Sequence, residues 1–139
     1  MSLDKRRVST VVQTRFLNPF VRRVAGTRLA PGYALLETTG RRSGRPRRTP
    51  VGNGLDRDGR TFWIVAEHGR RAAYVRNIEA DPRVRVRLRG RWRSGTARTV
   101  PEDDPRERQR RIGRRLNAAA VRLMGSDLLV VRIDLEPGR

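Results

Sequence analysis

Apolar residues in this chain fall into short runs that switch between helical and strand spacing, and those two periods predict the elements. Leu3, Val8, Val11, Val12 and Phe16 fit a helix over 3–16, with Arg6, Arg7 and Arg15 left to solvent. Asn18 as N-cap and Pro19 as first helical residue then open a short second helix through Val24, closed by Gly26. Tyr33 to Thr39 and Thr49 to Leu55 read as strands joined by a glycine- and arginine-rich loop. Asp58-Gly59, the strongest turn signal in the chain, makes a hairpin with a third strand, Thr61 to Ala66. Arg70 to Ala80 reads as a helix stopped by Asp81-Pro82.

From Arg83 to Leu88 the alternation is strict, with Val84, Val86 and Leu88 on one face and Arg83, Arg85 and Arg87 on the other, the mark of a half-buried strand. Arg89-Gly90 turns it into a partner running from Arg91 to Val100. Asp104, Pro105 and Glu107 supply an N-cap, a proline at the first helical position and an acidic first turn. They open a helix to about Met124, closed by Gly125, whose inner face would carry Ile112, Leu116, Ala120 and Leu123. Leu128 to Leu135 ends the pattern as a strand apolar enough for burial on both faces. The expected fold is α+β, mainly β: a six-stranded antiparallel barrel, closed or split, with surrounding helices. Without repeat or linker, the 139 residues read as one domain, an N-terminal helical segment (1–26) leading into a barrel (33–135) with helices near 70–80 and 104–124.

Composition narrows the chemistry. The absence of cysteine excludes a disulfide framework, a thiolate metal site and a cysteine nucleophile. His68 is the single histidine, too few for a zinc or haem site of ordinary composition, so no metal is expected. No apolar signal core follows the charged N-terminus and no run approaches the ~20 apolar residues of a membrane span, so the expected compartment is the cytoplasm. The net charge is +19; Lys5 is the only lysine among 33 basic residues, leaving 33 − 1 = 32 arginines. Such a charge attracts polyanions, anionic lipid and acidic metabolites alike, and part of the arginine skew is of the kind GC-rich coding produces.

The most informative segment is Thr38-Thr39-Gly40-Arg41-Arg42-Ser43-Gly44-Arg45-Pro46-Arg47-Arg48-Thr49-Pro50. Gly40 and Gly44 permit angles that turn main-chain amides toward one point, Ser43 and Thr49 add hydroxyls, and arginine forks bind phosphate or carboxylate oxygens in pairs. Fixed between strands, the loop reads as a cradle for an anionic, phosphorylated small ligand. A solvated basic turn is the bland reading. A nucleic-acid site is the sharper rival, but aromatics make up only 5% of the chain and none lies in the loop to stack a base, so no nucleic-acid partner is expected.

The run Thr38 to Arg47 resembles the hallmark of the deazaflavin-dependent nitroreductase family, and Asn18-Pro19-Phe20-Val21-Arg22, Tyr74-Val75-Arg76-Asn77-Ile78 and Ala80-Asp81-Pro82-Arg83-Val84 agree with it. The resemblance implies a split β-barrel of the FMN-binding type that binds coenzyme F420, with FMN as the alternative occupant. It implies that Arg41, Arg42, Ser43, Gly44 and Arg47 approach the coenzyme phosphate and that Thr49, Pro50, Val51 and Ala66 line its ring. Glu67-His68-Gly69-Arg70-Arg71 stand where members often carry serine and lysine, so Gly69, Arg70 and Arg71 are expected to replace the missing positive charge, and Asn77 completes the cofactor set. His68 and Tyr74 are the candidate catalytic side chains, against the plain reading of His68 as an exposed loop residue.

The implied function is F420-dependent hydride transfer to a small-molecule electron acceptor, quinone-like, nitro or otherwise conjugated and electrophilic. The alternatives are a non-catalytic F420 or FMN carrier and a basic protein binding nucleic acid or an anionic membrane. Peripheral contact with the inner membrane face and a monomer or homodimer complete the expectations. Past Pro101 the resemblance fades, so it does not identify the acceptor.

Overall fold

The computed structural model describes residues 32–112 and 127–137. The two helices expected before residue 26, and the continuation of the expected helix from 113 to Met124, lie outside those residues. In chain order the described elements are β1 (Tyr33–Thr39), β2 (Pro46–Gly52), β3 (Thr61–Ala66), a 3-10 turn (Gly69–Arg71), α1 (Ala73–Ala80), β4 (Arg83–Leu88), β5 (Arg91–Val100), α2 (Pro105–Ile112) and β6 (Leu129–Leu135). The strands form one antiparallel sheet in the order β2-β1-β4-β5-β6-β3.

Alternation along each strand sends one set of side chains inward. Ala34 and Leu36 from β1, Val84 and Val86 from β4, Ile64 from β3 and Ile133 from β6 share a buried cluster, which Val75 and Ile78 of α1 join. The sheet curls because the chain leaving β2, one edge strand, at once touches β3, the other. The Trp63 amide donates to the Gly54 carbonyl at 2.9 Å, and Leu55 bridges Phe62. Only glycine fits there, since a Cβ on Gly54 would lie 1.8 Å from the Trp63 carbonyl oxygen. The result is the expected split barrel, mainly β.

Strand β2 is the main displacement from the sequence reading. It begins at Pro46 rather than Thr49 and ends at Gly52, short of Leu55. The ladder with β1 runs from Thr39↔Pro46 to Tyr33↔Gly52, so pairing recruits the basic residues that composition assigned to the loop. The helix expected from Arg70 also starts late. Ala72 is extended (φ −65, ψ 132), which separates the 3-10 turn from α1.

Among the described residues, the outer face of the sheet is covered by a helix over β3 and β6. Asp104 caps α2 through its Oδ1, which accepts the Arg106 and Glu107 amides. From α2, Ile112 packs on Trp63, Val100 and Val130, and the Arg108 guanidinium lies 3.7 Å from the Trp63 ring centroid. Val130 and Val131 are thereby both fully buried, one on each face of β6, as the run of apolar residues there predicts.

Candidate functional site

Between β1 and β2 the chain turns tightly. The Gly40 amide donates to the Arg45 carbonyl and the Gly44 amide to the Gly40 carbonyl, both at 2.8 Å. Gly44 has φ +70, a conformation that favours glycine. The Arg45 amide donates to Ser43 Oγ and the Arg41 amide to Asn77 Oδ1, each at 3.2 Å. Four main-chain amides of the loop are thus engaged by the protein, those of Gly40, Gly44 and Arg45 within the loop and that of Arg41 by Asn77 of α1, instead of pointing at a ligand. The guanidinium groups of the loop arginines are exposed donors beside them.

Asn77 holds the arrangement. Its Oδ1 also accepts from Arg41 Nη1 at 3.0 Å, and its Nδ2 donates to Thr38 Oγ1 at 3.1 Å. Asn77 is buried at 3% exposure, so these bonds form away from bulk water and pin the loop to α1. An open groove of about 810 Å³ lies beside this junction. Arg41, Arg42, Arg45, Arg47 and Arg48 line it, with Ser43, Thr49, Tyr74 and Asn77, and among the described residues no acidic one contributes. This donor set fits an anionic group such as a phosphate, whose oxygens match the forked geometry of arginine.

Of the residues that the sequence singled out, Arg41, Arg42, Ser43, Arg47, Thr49, Tyr74 and Asn77 come together on the groove. Gly44 forms the turn behind it. The remaining ones stand elsewhere, for reasons of register and pairing. Strand alternation turns Pro50 toward the opposite face from Thr49, opposite Leu35. Val51 follows Thr49 on the same face but enters the core, as does Ala66. Gly69 is buried with φ +54, where a Cβ would meet the Asp127 carbonyl oxygen at 2.5 Å. Arg71 pairs with Asp127 and Arg70 with Glu79, so neither guanidinium is on the groove. His68 is exposed at the start of the 3-10 turn. Arg45 and Arg48 line the groove without having been singled out; Arg45 ends the loop and Arg48 lies on the strand face opposite Thr49, so no periodicity marked either.

Tyr74 and Glu67 form the electrostatic contrast to this basic wall. Burial, reinforced by the nearby Glu67 carboxylate, pushes the Tyr74 phenol above its ordinary pKa, so the hydroxyl stays protonated at any physiological pH. Burial likewise raises the Glu67 carboxyl, opposed by His68.

The chain is similar in fold to several solved proteins. An F420-H2 dependent reductase (FDR-A) superposes with TM-score 0.57 at 23% identity, covering 74% of this chain and 94% of its own. Atu2129 from Agrobacterium tumefaciens, of unknown function, gives TM-score 0.61 at 28% identity over 83% of this chain and 53% of its own. HutZ, a heme storage protein from Vibrio cholerae, gives 0.57 at 19% identity, over 80% and 86% respectively. None of the curated proteins matches this chain. The family described as F420H(2)-dependent quinone reductase matches residues 7–136, nearly the full length, and with the arginine-lined groove between β1, β2 and α1 this chain belongs to that family.

Proposed function

We infer that this protein is an F420H2-dependent reductase acting on a quinone-like or other conjugated, electrophilic small molecule. The observation that carries the reading is the groove lined by Arg41, Arg42, Arg45, Arg47 and Arg48 and, among the described residues, by no carboxylate, Arg48 itself being paired with Glu37 of β1, in a chain matching this family from residue 7 to 136. Arg41, Arg42, Arg45 and Arg47 would hold the anionic end of the coenzyme, with Arg48 extending the wall. Asn77 fixes the direction of Arg41 before any ligand arrives, which lowers the ordering cost of binding. When bound, the reduced deazaflavin supplies the hydride. Thr49 lies between the basic rim and buried Val51, so the floor of the groove rests on the core and excludes water from that side.

Reduction of a quinone takes up a proton as well as a hydride. Tyr74, kept neutral by its surroundings, is the groove hydroxyl that would donate a hydrogen bond to the acceptor oxygen. His68 has no part in this scheme. One domain of 139 residues, residence in the cytoplasm with peripheral contact with an anionic membrane face, and a monomer or homodimer belong to the same reading.

Titration with coenzyme F420 and FMN side by side tests it, followed by anaerobic mixing of the reduced coenzyme with a quinone. F420 should bind more tightly than FMN, and Arg41→Ala and Arg47→Ala should each weaken it by about 1.5 to 3 kcal/mol, about ten- to a hundredfold. Quinone should then oxidise the reduced coenzyme in the protein's presence. Tight binding without acceptor-dependent oxidation would establish a carrier instead; unchanged affinity in both variants would remove the groove from the coenzyme site.

A further inference from the structure

The outer face of β2, β1 and β4 carries no helix among the described residues, in contrast to β3 and β6 beneath α2. At its centre Trp92 and Tyr33 pack over buried Leu35. Three guanidiniums surround the Trp92 ring, Arg85 at 4.7 Å, Arg48 at 4.9 Å and Arg87 at 5.6 Å from the centroid. Register places them together, since Leu35 opposes Arg87, Glu37 opposes both Arg85 and Arg48, and Arg87 opposes Trp92. Among the described residues, Glu37 is the carboxylate in the cluster. It accepts Arg85 Nε at 2.8 Å and Nη2 at 2.9 Å, and Arg48 Nε at 3.0 Å. The β4–β5 hairpin extends the basic surface with exposed Arg89 and Arg91. Arg89 holds φ 51 and Gly90 φ 79, so an arginine occupies a left-handed turn position that asparagine or glycine would fill with less strain.

We propose that this arginine- and tryptophan-bearing face docks the protein on an anionic lipid surface, with Trp92 and Tyr33 at headgroup level. The inference rests on the membrane contact included in the proposed function and assigns it to a surface. Charge complementarity sets the sign of the partner, and the face itself selects among anions. The paired edge of Arg85 and the Nε of Arg48 are directed at Glu37, and guanidiniums already lie over the Trp92 ring. A nucleic acid would need open forks and a bare ring to stack on. A second copy of the chain would bring like charges together. The outside of a curled sheet is convex and offers no groove to an extended acidic peptide. A lipid surface needs only summed positive charge and amphipathic aromatic rings, which is what the face presents.

The test uses the full chain with vesicles of phosphatidylcholine alone or mixed with phosphatidylglycerol, the latter also containing a brominated lipid that quenches tryptophan on contact. Binding should require phosphatidylglycerol and weaken with added salt. Trp92 emission should be quenched, whereas Trp63, buried beneath α2, should not, so Trp92→Phe should abolish the quenchable component. Arg87→Gln and Arg89→Gln should each lower partitioning about fivefold, with circular dichroism checking that the fold is kept. Equal binding to neutral vesicles, quenching that survives Trp92→Phe, or wild-type partitioning of both arginine variants would overturn the proposal. So would a single-stranded oligonucleotide that displaces the vesicles at physiological salt. Neither Arg87 nor Arg89 lines the groove, so coenzyme titration of these variants reports on the reductase reading independently.

Discussion

Glu37 shows how one carboxylate acquires a place in a chain of such basic excess. The hydrogen-bonded Arg85 lowers its pKa most, against a desolvation penalty from burial, and Arg48 lowers it further. A depressed carboxylate stabilises the fold above its ordinary value of 4.5, and that contribution is lost as pH falls through the lower folded value. Glu37→Gln should therefore destabilise the protein at neutral pH by about 1–2 kcal/mol, a figure reduced because both arginines remain nearly half exposed. Denaturation midpoints of wild type and variant should converge as pH drops below about 4.5; a constant gap would mean that Glu37 acts through packing instead. At this scale the sequence named Arg41, Arg47, Thr49 and Asn77 as site residues, since loop composition and family motif bear directly on side-chain chemistry. It also named Arg70 and Arg71, whose partners Glu79 and Asp127 lie nine and 56 residues away along the chain. Such pairings are set by the fold and leave no local mark.

Among the elements, β1, β3, β4 and β5 keep the boundaries that alternation and turn residues predict. The Asp58 carboxylate accepts the Arg60 and Thr61 amides and the Thr61 hydroxyl, so the Asp-Gly turn is fixed locally. Strand β2 moved because an antiparallel partner can hold Pro46, Arg47 and Arg48 in extended form whatever their propensity. That shift pairs Arg47 and Arg48 with Thr38 and Glu37 of β1 instead of leaving them in the loop. Where β2 meets β3, Gly54→Ala should cost more than about 3 kcal/mol, because its Cβ would overlap the Trp63 carbonyl and separate the two edges of the barrel. Urea denaturation would measure the loss; a variant as stable as wild type would show that the barrel does not depend on this closure.

For the whole molecule, 33 basic against 14 acidic residues leave the folded state under net self-repulsion. Raising sodium chloride from about 20 mM to about 200 mM shortens the screening length toward ~7 Å and should stabilise the fold. The expected gain is about 1 kcal/mol, a rise in Tm of about 3–5 °C by calorimetry. A falling Tm would mean that the surface ion pairs outweigh the general repulsion. By itself the sequence determined the boundaries of four strands, the turn at Asp58-Gly59, the cap at Asp104 and the arginine-rich composition of the β1–β2 loop, because each follows from neighbours within a few positions. Only the tertiary structure decided that Asn77 would anchor Arg41, that Val51 and Ala66 would enter the core, and that arginines from β2 and β4 would meet on Trp92. Those outcomes depend on which strands pair and in which register, and pairing is chosen by the free energy of burying the whole sheet.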